Sequence, residues 1–262
     1  MKRIVITGIR GGVGATTVAA NLVTALHSID QQTHIIDLNR ENMMRFHFGM
    51  EPKSTDGWAV RWLTGESWMQ AGYQTHRHIA FVPFGQLSAN QYQHMHQAAQ
   101  AHPEQFIECF DVKGHKPAQD NQWQILLLPC LPSLEEMHFS LIERADLVVC
   151  VVRPDIQSYS LLEQSPCFQK LTQVAQPKLL LNQCQPSSEI NRDLQLVMQY
   201  EFEAQLIPVL MHTDTAVSEA IANLQSVLES SPYSQAAQDY HALAFWCLSY
   251  LNQNRSLETP HV

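Results

Sequence analysis

The chain has 262 residues, of which 45% are hydrophobic and 16% are charged, and its formal net charge at pH 7 is −9. This composition is typical of a globular protein with a substantial core, and the lack of a Gly/Ser/Pro-rich linker favours one α/β domain over two small ones. The acidic balance argues against nucleic acid as a partner, because the 16 Lys and Arg residues are scattered and form no basic cluster.

The N-terminal sequence gives no sign of export. Residues 1–3 lead directly into a short strand-like run, which is too brief for the apolar core of a signal peptide. No apolar run approaches the length needed to span a bilayer. The six cysteines are dispersed, and their spacing fits neither a zinc site nor a disulfide framework. We therefore expect a cytoplasmic protein whose thiols are buried and reduced.

The first predicted strand, residues 3–7, runs into a glycine-rich turn that opens a predicted helix over residues 16–29. Glycines let backbone N–H groups crowd around one anion, and the N-terminus of a helix adds its positive dipole end. The turn is thus a candidate phosphate cradle, although a tight turn without a ligand is an equally good interpretation of this stretch alone. The candidate residues of this glycine loop (residues 10–17) are Arg10, Gly11, Gly12, Val13, Gly14, Ala15, Thr16 and Thr17.

The glycine loop departs from the common phosphate-binding pattern G-x-x-x-x-G-K-[ST] at two positions. Ile9 stands at the first glycine and Ala15 stands at the lysine. The cation that normally reaches the β- and γ-phosphates is therefore missing. Arg10, two residues ahead of Gly12, is the cation that remains within the loop.

After the glycine loop, apolar strand-like runs alternate with helical patterns along the chain. The predicted strands lie at residues 33–37, 79–83, 123–129, 146–152, 178–182 and 205–209. The predicted helices lie at residues 88–101, 133–144, 157–172, 187–200, 215–229 and 233–251. The strands show little polar alternation, as strands buried on both faces of a parallel sheet do. The predicted fold class is α/β, a doubly wound, mostly parallel sheet with helices on both faces.

Two segments interrupt this regular alternation. Residues 51–77 carry tryptophans and glycines at roughly helical spacing, which predicts a short helix over the sheet edge or, alternatively, a partner-binding surface. Residues 102–121 are more polar and contain two prolines, which predicts a surface loop. Neither segment has the composition of a linker, so residues 1–252 are predicted to form one domain and residues 253–262 a polar C-terminal tail.

Polar residues cluster where predicted strands end. The glycine loop follows the first strand, Asp37 and Asn39 follow the second, and Asn182 ends a later one. Parallel α/β sheets bind their ligands at the carboxyl ends of the strands. This shared location predicts one ligand site to which all of these residues belong.

The glycine loop resembles the deviant Walker A motif of the MinD/ParA family of P-loop ATPases. Arg10 stands where that family has a signature lysine, which reaches across an ATP-sandwiched dimer to the phosphates of the partner. Further segments follow in the order of the family, namely residues 35–39, 146–155, 179–182 and 207–220. The resemblance implies a P-loop fold that binds ATP or ADP with Mg²⁺ and forms a homodimer across the nucleotide.

The resemblance also implies roles for single residues. Thr16 matches the hydroxyl that binds Mg²⁺, and Asp37 matches an acid that supports the Mg²⁺ shell. Asn182 matches the asparagine that reads adenine, while Pro208 and Asp214 match the loop over the base. Without the resemblance, Asn182 is an ordinary turn former and Asp214 is an ordinary helix N-cap.

The groups that support hydrolysis in the family are replaced in this chain. Asn39 stands in place of an acid that positions water, and Leu127 stands in place of the Walker B acid. Together with Ala15, these changes remove groups worth orders of magnitude in phosphoryl transfer. Asp37 and Asn39 are therefore weak candidates for catalysis, and we expect nucleotide binding with hydrolysis weak or absent.

A narrower resemblance rests on residues 57–65, 82–88 and 245–248, together with the two replaced positions of the glycine loop. These segments are similar to the BcsQ family, the MinD-like proteins of bacterial cellulose-synthesis operons. The resemblance implies a part in assembling or localising the cellulose synthase complex at the inner membrane during biofilm formation, with the small protein BcsR and with BcsE as partners. It also implies that these partners recruit the chain to the membrane peripherally. Two alternatives stay open: an active ATPase that positions a membrane machine, and a nucleotide-free pseudo-ATPase scaffold.

Overall fold

A seven-stranded sheet is the centre of the computed structural model, which describes residues 1–75, 77–110 and 122–258. Its strands are β1 (Lys2–Gly8), β2 (Gln32–Asp37), β3 (Tyr73–Gln74), β4 (Ala80–Val82), β5 (Gln122–Leu127), β6 (Leu147–Val152) and β7 (Lys178–Leu181). They lie in the order β3-β4-β2-β5-β1-β6-β7. All neighbours pair in parallel except β3, which adds to β4 at the edge in the antiparallel sense.

Helices cover both faces of this sheet. The α-helices of the described residues are α1 (Ala15–Ser28), α2 (Trp58–Leu63), α3 (Ala89–Ala101), α4 (Pro103–Cys109), α5 (Glu136–Ile142), α6 (Ile156–Gln164), α7 (Pro166–Val174), α8 (Glu189–Glu201), α9 (Thr215–Ala222), α10 (Val227–Ser230) and α11 (Gln235–Glu258). The chain crosses the sheet in one direction from β1 to β2 and in the other from β5 to β6, so right-handed connections place α1 and α5 on opposite faces. The predicted doubly wound, mostly parallel α/β fold is confirmed. None of these helices combines the length and the apolar composition that crossing a bilayer requires.

Strand β1 lies between β5 and β6 and is buried along its whole length. The register sets Ile6 beside Leu127 and Gly8 beside Val151. The N–H of Ile9 continues this pairing by donating to the carbonyl oxygen of Val151 at 3.0 Å. The glycine loop therefore leaves the sheet between the carboxyl ends of β5 and β6. Successive connections run outward in opposite directions from this point, which is where open α/β sheets bind ligands.

Two of the helix predictions are wrong, because each of the two predicted helices is a pair of shorter helices in the structure. The helix predicted over residues 157–172 is two helices, α6 and α7, which are separated at Ser165. The hydroxyl of Ser165 caps α7, and Pro166 is the first residue of that helix. The helix predicted over residues 215–229 is α9 and α10, separated where Leu224 takes a left-handed conformation with φ 56°. In both cases local turn and capping chemistry overrides the apolar spacing that predicted one helix.

The strand predicted at residues 205–209 forms only in part. Leu179 exchanges hydrogen bonds with the start of this segment, but the next bond of the ladder joins Leu181 to Met211. Pro208 lies between these two contacts and has no N–H to donate, so the ladder is interrupted there. The segment runs beside β7 without being a strand of the sheet.

The irregular segments differ from their predictions in their bounds. The short helix predicted within residues 51–77 is α2, and the two-residue strand β3, which the sequence does not predict, follows it. Residues 103–109 form α4 where a surface loop was predicted, while residues 111–121 lie outside the described part of the chain. Helix α11 continues to Glu258, past the predicted start of the polar tail, and residues 259–262 lie outside the described part.

Helix α2 is fixed to the sheet by the indole of Trp58, which is 1% exposed. The Nε1–H of Trp58 donates to the carbonyl oxygen of Asp37 at 2.7 Å, at the end of β2. The ring packs edge-on against Phe84 and Phe110, with centroid distances of 5.0 Å in both cases. One side chain thus joins α2, the end of β2 and the aromatic core beside it.

The backbones at Gly57 and Gly85 touch each other directly. A Cβ added to Gly57 would lie 2.1 Å from the nitrogen of Gly85, and one added to Gly85 would lie 2.9 Å from Cα of Gly57. The N–H of Trp58 donates to the carbonyl oxygen of Pro83 at 2.9 Å across this contact. The two glycines are therefore required for α2 to reach the segment that follows β4.

Replacing Trp58 by alanine is expected to destabilise the fold by ~3–5 kcal/mol, the usual cost of emptying a buried aromatic site. Trp58→Phe should cost less, because it keeps an apolar ring and loses a hydrogen bond worth about 1 kcal/mol. Trp62→Ala is the matched control, since Trp62 is only partly buried. Urea unfolding followed by circular dichroism measures all three variants. Equal losses for Trp58→Ala and Trp62→Ala would show that the indole of Trp58 has no special part in the packing.

Candidate functional site

The glycine loop crosses from β1 to α1 through two left-handed glycines. Gly12 has φ 80° and Gly14 has φ 91°, a backbone conformation that residues with a Cβ rarely adopt. Gly14 is also the N-cap of α1 and, having no side chain, leaves the N–H groups of the first turn uncapped. These N–H groups and the positive end of the helix dipole suit this end of α1 to an anion.

Two clefts open beside the glycine loop. The first, of about 620 Å³, is bounded by the loop, by the segment after β2 and by the segment after β5. The second, of about 310 Å³, is bounded by Gly14, Thr17, Asn182 and the segment that leads into α9. Both clefts are lined by Gly14, so they adjoin at this residue.

The amide of Asn182, just after β7, holds the glycine loop in place. Its Nδ2 donates to the carbonyl oxygen of Val13 at 2.8 Å, and the side chain is almost fully buried. A Cβ added to Gly14 would lie 2.5 Å from the same nitrogen, so only glycine fits beside it. The structure therefore gives Asn182 a role in positioning the loop, in addition to its place in the wall of the second cleft.

Arg10 is held within its own subunit by an ion pair. One guanidinium nitrogen donates to the carbonyl oxygen of Gly11 at 2.9 Å, and another donates to Oδ2 of Asp155 at 2.6 Å. The other carboxylate oxygen of Asp155 accepts from the N–H of Ser158 at 2.8 Å and so caps α6. Arg10 thus lies at the wall of the first cleft in an ion pair rather than in solvent. Any contact with a second subunit requires this pair to open or to be shared.

The helix end of the loop presents Ala15 and Thr16 to the first cleft and Thr17 to the second. All three side chains are half-buried. The methyl group of Ala15 brings no charge to a position where the common motif has a lysine. This end of the loop therefore keeps its hydroxyl groups and its backbone donors but not its cation.

The acids that the resemblance implies for a metal site are missing or out of reach. Asp37 is fully buried and lines neither cleft, whereas Asn39 lines the first. Leu127 is buried in the sheet beside Ile6. No group of three or more His, Cys, Asp or Glu side chains in the described part of the chain could hold a metal ion. Of the two residues that the resemblance implies for Mg²⁺, Thr16 lines the first cleft and Asp37 does not.

The side chain of Asp37 has a strongly raised pKa. Burial raises the pKa of Asp37 from 3.8 to about 7, and the backbone N–H groups of Asn39 and Met44 offset this in part. The N–H of Asn39 donates to Oδ1 of Asp37 at 2.9 Å. Asp37 therefore anchors the start of the segment after β2 and is uncharged over part of the neutral pH range.

The two remaining predicted residues differ in their placement. Pro208 is exposed and lines neither cleft. Asp214 lines the second cleft, where one carboxylate oxygen accepts from the N–H of Ala216 at 2.9 Å and the other from the N–H of Ala236 at 3.0 Å. Asp214 thus caps α9, as its sequence position predicts, and also ties that helix to the start of α11.

Several lining residues were missed by the sequence analysis. Arg40, Tyr92 and Glu135 line the first cleft, and in the second Nδ1 of His212 lies 3.0 Å from Oδ2 of Asp239. Arg40 directly follows a predicted site residue, which was a usable signal. The others come from distant parts of the chain and belong to no motif, so only the fold brings them to the site.

Comparison with known proteins adds a family to this geometry. The family model described as cellulose biosynthesis protein BcsQ matches residues 1–248. The cellulose biosynthesis protein BcsQ of Escherichia coli (strain K12) is 30% identical over 262 residues, covering 97% of this chain and 95% of the relative.

Solved structures agree on the fold. A ParA family ATPase from Chlorobium tepidum has a TM-score of 0.68 at 19% identity, covering 93% of this chain and 98% of that one. The septum site-determining protein MinD of Pyrococcus horikoshii, complexed with Mg-ADP, has a TM-score of 0.67 at 19% identity, covering 93% of this chain and 94% of that one. At these identities the likeness establishes a MinD/ParA-type fold.

Asp37 should make the stability of the folded chain fall as the pH rises from about 4 through 7. Between the unfolded pKa of 3.8 and the folded value of about 7, the folded state keeps a proton that the unfolded state has released. This contribution is complete below the unfolded pKa and is lost once the pH passes the folded one. Asp37→Asn removes the titration. The stability of this variant minus that of wild type should therefore be larger at pH 8 than at pH 5. Urea unfolding at both pH values measures this, and a difference that does not change with pH would contradict it.

Proposed function

The chain belongs to the BcsQ family of cellulose biosynthesis proteins, and on this basis we propose that it binds ATP or ADP at the glycine loop and works as a dimer in assembling or localising the bacterial cellulose synthase complex. The observation that carries the proposal is the backbone of the glycine loop. Two left-handed glycines and an uncapped helix N-terminus face an open cleft, although the lysine of the motif is absent. The uncapped helix N-terminus leaves backbone N–H groups that can bind an anion, and a turn that only joined β1 to α1 would not need them.

In this proposal one nucleotide occupies both clefts. The phosphates lie in the first cleft against the N–H groups of the glycine loop and the hydroxyl of Thr16. The nucleoside lies in the second cleft, which Asn182 and Asp214 line beside Thr17. Gly14 belongs to both walls, so a nucleotide can extend from one cleft into the other. Pro208 is not part of this arrangement.

Bound Mg²⁺ would neutralise phosphate charge, and Thr16 is the side chain that would hold it. Asp37 supports that site indirectly, because its carboxyl fixes the backbone of Asn39 at the wall of the first cleft. The MinD structure with Mg-ADP supports the use of this fold for a magnesium nucleotide. The donor set of this chain is nevertheless poorer, because Leu127 supplies no carboxylate.

Hydrolysis is proposed to be weak or absent. Asn39 can hydrogen-bond a water but cannot take its proton, and Leu127 can do neither, whereas positioned charges are the main source of rate in phosphoryl transfer. The nucleotide then acts as a ligand that stabilises one conformation and the dimer. Partners at the inner membrane, with BcsR and BcsE proposed from the family resemblance, would recognise that form.

Calorimetry on the purified chain should detect ATP or ADP binding at submillimolar concentrations. Gly14→Ala should weaken binding at least about tenfold, since the new Cβ displaces Asn182 and misaligns backbone donors, and one hydrogen bond to a charged group contributes about 1.5–3 kcal/mol. Gly65→Ala is the matched control, because Gly65 also has a positive φ, of 73°, and a Cβ there meets nothing within 4 Å. Thr16→Ala should lower affinity more when Mg²⁺ is present than when it is absent, and turnover should stay below ~1 s⁻¹. Absence of binding up to millimolar nucleotide would favour the nucleotide-free scaffold instead.

The dimer proposal predicts different effects for the two members of the Arg10–Asp155 pair. If Arg10 turns to the phosphates of a second subunit, Arg10→Ala should lower the ATP-dependent dimer fraction, and Arg10→Lys should keep part of it. Asp155→Asn keeps an acceptor for the N–H of Ser158 and releases Arg10, so its dimer fraction should equal or exceed that of wild type. Sedimentation velocity with ATP measures all of these. Equal losses for Arg10→Ala and Asp155→Asn would mean that the ion pair is purely structural and that the sandwich dimer is wrong.

A further inference from the structure

The first cleft contains a second arginine that the motif does not predict. Among the described residues that line this cleft, the only Lys or Arg side chains are Arg10 and Arg40. Arg10 is bound to Asp155 at 2.6 Å, and because the same carboxylate oxygen lies 3.5 Å from Nε of Arg153, part of the charge of Arg10 is offset. Arg40 is exposed and forms no ion pair with any carboxylate of the described part of the chain. It is the cation of the cleft that remains available to a ligand.

Arg40 rests on an aromatic platform. Its guanidinium carbon lies 4.9 Å from the ring centroid of Tyr92. The ring of Tyr92 is itself fixed, because its hydroxyl lies 3.4 Å from Oε1 of Glu135 and its other neighbour, His96, is stacked with an interplanar angle of 19°. Tyr92 also makes a side-chain hydrogen bond with Arg40, and the guanidinium N–H groups that this bond leaves over can bind phosphate.

The backbone that carries Arg40 is anchored on both sides. Before it, the N–H of Leu38 donates to the carbonyl oxygen of Leu127 at 2.8 Å. After it, Oδ1 of Asn42 accepts from the N–H of Phe84 at 3.2 Å. The segment between these anchors lines the same cleft as the glycine loop, so Arg40 is presented to that cleft by the fold and not by a freely moving loop.

The charges of the cleft wall make this arginine necessary for an anionic ligand. Glu41 and Glu135 also line the first cleft. Because Arg10 already pairs with Asp155, removal of Arg40 would leave these two acids without an unpaired Lys or Arg among the described residues of the cleft wall. A triphosphate would then be held by the backbone N–H groups and the dipole of α1 alone, against the repulsion of these carboxylates.

We propose that Arg40 is the phosphate-binding cation of this site and fills the role vacated by Ala15. It binds the phosphate chain of ATP or ADP from the segment after β2, with Tyr92 holding the guanidinium in position. This proposal rests on the proposed nucleotide binding and adds a residue to it. The expected loss on removing one such contact is about 10- to 100-fold in affinity, the range for a hydrogen bond to a charged group.

The test is calorimetric titration of ATP into the full chain and its variants at several salt concentrations. Arg40→Ala should bind ATP about 10- to 100-fold more weakly than wild type and with a smaller dependence on salt, because one screened charge contact is gone. Arg40→Lys should recover part of the affinity. Arg144→Ala is the charge-matched control, since Arg144 pairs with Glu104 and lines neither cleft. Tyr92→Leu should weaken binding more than Tyr92→Phe does, because only phenylalanine keeps a ring under the guanidinium.

The outcomes separate this proposal from the one on which it rests. ATP binding by wild type with equal affinities for Arg40→Ala and Arg144→Ala would overturn the role of Arg40 and leave nucleotide binding standing. A weaker Arg40→Ala variant with unchanged salt dependence, or one that Arg40→Lys does not improve, would also overturn it, since the loss would then come from the loop structure. No binding by wild type would overturn both. Thermal unfolding of each variant confirms that the fold is retained.

Discussion

The hydrogen bond between Asn182 and Val13 is the contact on which the functional face of this protein depends. It joins the end of β7 to a loop that lies 169 residues earlier in the chain. The amide fills the space that a Cβ at Gly14 would need, so the asparagine, the glycine and the left-handed backbone require one another. Since Gly14 lines both clefts, this one contact fixes the ridge between them and with it the shape of the whole site.

The site keeps the backbone shape of the common phosphate-binding loop but lacks its lysine and the Walker B acid. Backbone N–H groups need no particular side chain, so the cradle survives the change at Ala15. Leu127, the buried last residue of β5, avoids the desolvation that a carboxylate would suffer there. What remains is an arrangement suited to holding a nucleotide and poorly suited to breaking it, with Arg10 and Arg40 as the cations of the first cleft.

The contact between Gly57 and Gly85 explains why two separate segments carry the narrower family resemblance. The glycines let the backbones meet, and Trp58 then reaches the carbonyl oxygen of Asp37 at the end of β2. The segment that follows Asp37 bounds the first cleft. The position of α2 is therefore linked through Trp58 to the segment that forms one wall of the candidate nucleotide site.

The sequence by itself determined the fold class, most strands and helices, the glycine loop and the replaced acids, because each of these depends on local apolar spacing or on a short motif. It failed at Ser165, whose hydroxyl caps a new helix, and at Pro208, which has no N–H to donate to the strand ladder. Only the tertiary structure decided the partners of the charged and polar groups. Arg10 meets a carboxylate 145 residues away, Asp37 is buried deeply enough to raise its pKa, and Arg40, in the segment after β2, lies against Tyr92 of α3. Such pairings depend on how the parallel strands order themselves in the sheet, and no periodicity along the chain encodes that order.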